Sequence, residues 1–217
     1  MRIIITPWKA PLTHLFDGKQ LISYPAVLSM GRSLGVRDYA RSGPSIYVAS
    51  TYQNAIVELR SGDLTPVGPP TDAQDQYHVN GVALADGKPR YATMCGLDWR
   101  ADRTDGAVYD CDENRPICTG LTMPHSPRLH GDDLWVCNSG KREVGKVING
   151  QFSPVATFEG FPRGLCFQGD QMFVGVSRLR GGDLPCGIAT FDLRTETQTN
   201  WQAFDAFREI FVLEAVE

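Results

Sequence analysis

The sequence predicts an all-β fold, a β-propeller of five four-stranded blades whose last blade is closed by both termini. Three observations predict it. A short apolar run ending in a small polar residue recurs at a nearly constant spacing. A hairpin pattern follows each recurrence. The C-terminal segment then continues the series into the N-terminal one. The runs occupy 47–51, 91–95, 135–139 and 173–177, so their last residues step by 44, 44 and 38 positions. Gly43, Gly87, Gly131 and Gly169 each stand four residues before a run.

Strands leading into the runs are expected at 35–40, 80–85, 125–130 and 163–168. Outer hairpins are expected at 55–60 and 64–68 around Ser61-Gly62-Asp63, and at 107–111 and 116–121 around a turn at 112–115. Two more are expected at 144–148 and 151–158 around Asn149-Gly150, and at 187–193 and 197–204 with a turn near Thr195. Asn-Gly is a strong signal for a two-residue hairpin turn. Residues 208–213 align with 163–168, and 3–6 with 48–51, each 45 positions apart. Residues 13–27, with Asp17-Gly18 as turn, supply the outer hairpin of that last blade. The blades run about 35–70, 79–121, 125–158, 163–204, and 208–217 plus 1–30, in one domain covering 1–217. The alternatives are a piece of a six-bladed propeller and an irregular β-sandwich with evenly spaced turns. No helix of ordinary length is expected.

Composition agrees with a single globular domain. The 217 residues are 42% hydrophobic and 21% charged with a net charge of −4, which excludes a disordered chain. With 22 glycines, a collagen is excluded as well. No apolar run reaches the length of a membrane span, and the acidic balance argues against non-specific nucleic-acid binding. The first residues lack the apolar run and cleavage site of a signal peptide, so a cytoplasmic location is expected. The six cysteines fit no zinc spacing and are expected to be free thiols. Cys111 and Cys118 flank one turn and are the pair that an oxidising compartment would bridge.

The basic residues are 16 Arg and 5 Lys. In a propeller, the starts of the innermost strands and the loops after the second strands converge on one mouth of the central channel. The inner-strand starts hold Arg37, Gly81, His125, Arg163 and Arg208, with His78 and Asn80 beside Gly81. The loops add Trp8, Tyr52, Trp99, Arg100, Lys141, Arg142, Arg178 and Arg180, and Ser139 marks a second-strand end. Such a ring is expected to form a positive funnel that concentrates an anion and grips a carboxylate or phosphate through Arg forks. Some Arg are expected to pair with Asp38 or Glu209. His125, stiffened between Pro124 and Pro127, is the candidate base. Ser126 beside it makes no triad, because neighbouring strand residues face opposite ways. Arg128 is a further ligand-binding candidate.

These motifs resemble, in the same order, an uncharacterised bacterial family of conserved hypothetical proteins. The resemblance is carried by His78-Val79-Asn80-Gly81, Asp105-Gly106-Ala107-Val108, and the stretch Met123-Pro124-His125-Ser126-Pro127-Arg128. Arg163-Gly164-Leu165, Cys186-Gly187 and Glu209-Ile210-Phe211 continue it. It implies no activity. More distantly, the Asn80-Gly81 blade start looks like that of the gluconolactonase and strictosidine-synthase propellers, where an Asn approaches a divalent metal. Gln168 stands near where their metal carboxylate is expected.

The expected function is binding of a small anionic or peptide-like ligand at the mouth, through His78, Asn80, Arg128, Arg163, Arg178, Arg208, Arg37, Ser139 and Trp99. A lactonase-like or other hydrolase or lyase with His125 as base is one alternative, and a protein-interaction platform is another. No cofactor is expected; His78, Asn80 and His125 are the candidates for a divalent metal. A monomer without nucleic-acid or membrane partners is expected.

Overall fold

The computed structural model describes the backbone of residues 2–7, 12–16, 21–25, 35–178, 186–205 and 209–216. Side chains are described for 35–178, 186–205, 209–210 and 212–215. The architecture is an all-β β-propeller.

Four blades are built from consecutive antiparallel strands. The first comprises β4 (Val36–Ser42), β5 (Ser45–Ser50), β6 (Ala55–Glu58) and β7 (Leu64–Pro66). The second comprises β8 (Val79–Ala85), β9 (Lys88–Met94), β10 (Gly106–Asp110) and β11 (Arg115–Leu121). The third comprises β12 (Pro124–His130), β13 (Asp133–Asn138), β14 (Glu143–Ile148) and β15 (Gln151–Thr157). The fourth comprises β16 (Phe161–Gln168), β17 (Gln171–Ser177), β18 (Cys186–Asp192) and β19 (Thr197–Phe204). The last strand, β20 (Ile210–Val216), pairs with β1 (Arg2–Pro7), which is followed outward by β2 (Leu12–Phe16) and β3 (Leu21–Pro25). For that last sheet only β20 has described side chains. The innermost strands β4, β8, β12, β16 and β20 neighbour one another in turn, and β20 also meets β4. Among the described residues the only helix is a single 3-10 turn, Ser139–Lys141.

The recurrent runs are the second strands of their blades, and their composition follows from their place. Blade packs on blade, so a middle strand is covered on both faces and reads as a continuous apolar run instead of an alternating one. The last five residues of β13 and the last six of β17 are all buried. The core accordingly lies between successive sheets. Ala49, Ile56 and Val67 meet Val82, Met94 and Tyr109 across the first pair of blades. Val108 and Leu121 meet Leu134 and Val136 across the second pair, and Trp135, Cys137 and Val144 meet Leu165, Met172 and Val174 across the third. Phe173 and Ile188 meet Ile210 and Leu213 against β20. The Asn149-Gly150 turn closes as expected, with φ of 50° and 79°, the left-handed pair that a two-residue hairpin requires.

A bulge interrupts the inner strand of every one of the four full blades, near its start. The register shifts between Val36 and Asp38, Val79 and Gly81, His125 and Arg128, and Pro162 and Leu165. Each inserts one extra residue opposite the second strand, which bends the strand and re-aims its side chains. Asn80-Gly81 is therefore part of a strand bulge and not a turn before the strand. Gly81 is fixed there by crowding: a Cβ would lie 2.3 Å from Pro127 Cδ and 2.3 Å from Thr93 Oγ1.

Candidate functional site

The bulges sort the inner-strand residues into two levels along the channel. At the mouth stand Arg37 from β4, Asp75 and His78 just before β8, His125 from β12, Arg163 from β16, and Glu209 just before β20. Deeper in the channel lie Asp38 and Arg128.

His125 is buried and its hydrogen bonds fix its chemistry. Nδ1 lies 2.8 Å from the carbonyl of Met123 and 3.0 Å from Ser139 Oγ. A carbonyl only accepts, so Nδ1 carries the proton and Nε2 is left as the acceptor. Arg163 Nη2 donates to that Nε2 at 3.0 Å. Ser139 Oγ in turn donates to Pro162 O at 2.6 Å, tying the end of β13 to the start of β16. Burial, followed by the charge of Arg163, pushes the His125 imidazole well below its ordinary value, so it is neutral. Arg163 also donates through Nη1 to Glu209 Oε2 at 3.3 Å.

On the other side of the mouth, His78 Nδ1 is 2.9 Å from Asp75 Oδ1. Burial lowers its pKa, Asp75 opposes that shift, and Arg37 and Arg163 add to it. Trp99 covers His78 with ring centroids 4.1 Å apart, and its Nε1 donates to the Asp75 carbonyl at 2.7 Å. The guanidinium groups of Arg100 and Arg103 lie 5.0 and 5.4 Å from the Trp99 ring, on the exposed rim. Burial also lowers Arg37, and the charges of Asp75, Tyr52, Cys95 and Glu209 act against it.

The sequence-derived candidates therefore separate. Arg37, His78, His125 and Arg163 are brought together, with Ser139 behind His125 and Trp99 over His78. Asn80 is buried below them, and its carboxamide accepts from Thr93 Oγ1 at 2.7 Å and donates to Cys95 Sγ at 3.2 Å. Arg128 is spent on a two-pronged ion pair, both prongs 2.8 Å, with the buried Asp38. Arg178 follows β17 and its Nε has no hydrogen-bond partner among the described residues. Arg208, Trp8 and Arg180 lie outside the described residues. Ser126 accepts from the Gly164 amide at 3.0 Å and makes no contact suited to a triad with His125. The expected funnel of basic groups carries carboxylates as well. Asp75 and Glu209 stand among the cations, because Asp75 comes from the linker between β7 and β8, which the repeat does not cover.

Among the described residues no three His, Cys, Asp or Glu side chains are grouped as a metal would need. All six cysteines are free, and burial pushes Cys95, at the floor of the mouth, up to about 12. One cleft is lined by Met94, Leu97 and Tyr109, and another by Phe158, Gln198 and Trp201.

Fold and site together define a β-propeller whose inner strands present a charged ring at one end of the channel. Its backbone is similar to that of a protein of unknown function from Bacteroides caccae, at 11% identity over 98% of this chain and 97% of that one, with a TM-score of 0.57. It is also similar to part of hydrazine synthase from Kuenenia stuttgartiensis, at 13% identity and a TM-score of 0.53 over 79% of this chain. The chain spans about half, 49%, of the length of that second match. At these identities the likeness is one of fold alone. Comparison with curated proteins gives no match. The chain belongs to the DUF4915 family, a domain of unknown function, which it matches over residues 67–217. His78, His125, Arg163 and Glu209 fall inside that span, whereas Arg37 and Asp38 precede it.

Proposed function

We propose that this protein is a five-bladed propeller, closed by β20 pairing with β1, that binds a small ligand through an anionic group at the mouth. One observation carries the reading: the Arg163 guanidinium is fixed at the start of β16, with Nη2 3.0 Å from His125 Nε2 and Nη1 3.3 Å from Glu209 Oε2. A guanidinium oriented in this way, with Arg37 at the start of another inner strand, is suited to fork a carboxylate or phosphate. His125, neutral and bonded to Arg163, orients that guanidinium. The rim arginines Arg100 and Arg103 add steering. The reading places the protein in the cytoplasm; no helix among the described residues is long and apolar enough to cross a membrane.

A hydrolase or lyase with His125 as base has less support, because Nε2, its acceptor, already takes a proton-bearing Arg163 nitrogen. The test is calorimetry and thermal shift of the whole chain against small carboxylates and phosphates. Binding that weakens about tenfold or more in Arg163→Ala, the loss of one charged hydrogen bond, is the expected result. Absence of binding by every anionic compound, or affinity indifferent to Arg163→Ala and Arg37→Ala, overturns the proposal.

A further inference from the structure

The two histidines of the mouth are held differently. His125 is 3% exposed, and its Nε2 already accepts from Arg163. His78 keeps 13% of its side chain exposed, and its Nδ1 is 2.9 Å from Asp75 Oδ1. A carboxylate accepts, so Nδ1 carries the proton and Nε2 is left as the basic nitrogen. Among the described residues nothing hydrogen-bonds to that Nε2. Asp75 and His78 both take left-handed backbone, with φ of 53° and 50°. Such values are uncommon for residues with a side chain and persist where the surroundings enforce them. Here those surroundings are explicit. Trp99 Nε1 and Arg100 Nη1 both donate to the Asp75 carbonyl, at 2.7 and 2.9 Å. Tyr77 donates its amide to Asn54 Oδ1 at 3.1 Å, and its carbonyl accepts from the Cys95 amide at 2.9 Å. The Trp99 ring lies against the imidazole, 4.1 Å between centroids. Contacts of this density lock a carboxylate–histidine pair whose basic nitrogen is unspent.

We propose that His78 is a general base, oriented by Asp75, that activates water for attack on a small carboxylic ester. No hydroxyl or thiol of the described residues is bonded to Nε2, so the proton it takes comes from outside the chain, from water. The water oxygen bonds to the ester carbonyl carbon as its proton passes to Nε2. The carbonyl oxygen becomes an oxyanion, a charge that Arg163, held by His125 at the start of β16, is suited to stabilise. The carbon–oxygen bond to the alcohol then breaks with its electron pair on the leaving oxygen, which takes the proton back from Nε2. Acid and alcohol are released. The inference rests on the anion-binding reading of the mouth for the oxyanion and for the product carboxylate. A base must be unprotonated to act, and the surroundings of His78 favour that state. Burial lowers its pKa, Asp75 beside it raises it, and Arg37 of β4 and Arg163 of β16 lower it further. His125 of β12 is neutral, and Arg100 and Arg103 flank Trp99 on the rim.

The experiment starts with the whole unmodified chain. Hydrolysis of para-nitrophenyl acetate and butyrate is followed against pH, and calorimetry measures binding of acetate and butyrate. The expected result is turnover whose kcat/KM reaches its plateau through one ionisation below about 6.5, the ordinary histidine value. Diethyl pyrocarbonate, which acylates accessible neutral imidazole, is expected to label His78 and spare His125, read by mass spectrometry. His78→Gln is expected to lower kcat about a hundredfold or more and leave acetate and butyrate bound. Asp75→Asn is expected to move the midpoint of the pH profile further down, because the carboxylate that raises the His78 pKa is gone; an unmoved midpoint removes Asp75 from its positioning role. No hydrolysis above buffer, a rate that climbs in proportion to hydroxide, or a His78→Gln chain with unchanged kcat overturns the proposal. Binding of acetate or butyrate in that case leaves the anion reading standing, and absence of both hydrolysis and binding overturns both. The pH profile and the labelling use the unaltered chain, so a variant that fails to fold leaves the decision intact.

Discussion

Replacing Asp38 by alanine tests the inner ring at its most demanding point. Asp38 is 1% exposed. Its carboxylate accepts two bonds of 2.8 Å from Arg128, one of 3.2 Å from the Val82 amide and one of 2.9 Å from its neighbour Tyr39. Arg128 also donates to Val82 O at 3.0 Å and to Pro127 O at 2.8 Å. One carboxylate and one guanidinium thereby clasp β4, β8 and β12 across the channel. Truncation leaves a largely buried guanidinium without its counter-charge and an inner-strand amide without its acceptor. Breaking a buried pair from one side costs about 3–5 kcal/mol, a large part of the roughly 5–15 kcal/mol that holds a domain folded. At about 2–4 °C per kcal/mol for a chain of this size, the melting temperature falls by roughly 6–20 °C. Urea unfolding followed by far-ultraviolet circular dichroism measures it. The joint replacement Asp38→Leu with Arg128→Met is expected to recover most of the loss, since an apolar pair has no buried charge to strand. A loss below about 1 kcal/mol, the figure for an exposed ion pair, refutes the reasoning.

Two further outcomes follow from the same geometry. His125 and His78 both have lowered pKa values in the folded chain. The unfolded chain therefore binds more protons just below the ordinary histidine value, and stability must fall as pH drops below about 6.5, by up to about 1.4 kcal/mol per unit for each histidine. Melting curves at pH 7.5 and about 5.5 should show it, and His125→Gln should remove the share due to His125; an unchanged slope in that variant counts against the assigned neutral state. Gly81→Ala should cost about 1–3 kcal/mol, because the new methyl meets Pro127 and Thr93 and the Ser126 amide 3.0 Å away. A variant as stable as the parent in urea would show that β8 and β12 are not packed that closely.

The repeat was legible because blade geometry imposes it. A middle strand buried on both sides must be largely apolar, so 135–139 and 173–177 stand out against polar turns. The pairs of Arg128 with Asp38 and of Arg163 with Glu209 were foreseeable in kind, since Asp38 and Glu209 directly follow the basic column positions Arg37 and Arg208. What the column hides is the bulge. One extra residue per inner strand changes which side chain faces the mouth, so Arg128 turns into the channel beside Asp38 and Asn80 turns onto Thr93 and Cys95. The Asn80 displacement has one sequence signal, Gly81, which permits the close approach, and the Arg128 displacement has none, since Ser126 takes the positive φ, 51°, in that bulge. Asp75 escaped for a different reason. It reaches the ring from a linker outside the repeat, and a column read at a fixed spacing cannot include it.

The two levels of the channel divide the work of one structural device. Below the bulge, an Arg and an Asp from strands two places apart close on each other and on the backbone of the strand between them. Their charges are consumed in holding three blades in register. Above it, Arg37, Asp75, Arg163 and Glu209 stand at or just before the starts of inner strands, with Arg163 paired to Glu209 and Asp75 to His78. A buried ionic pair is weak evidence for stability by itself, since apolar groups of the same volume serve as well or better. The lower pair has a geometric task that apolar side chains could share. The upper charges have none that requires four ionised groups at one opening, and that difference is the physical ground for assigning the upper level to a ligand.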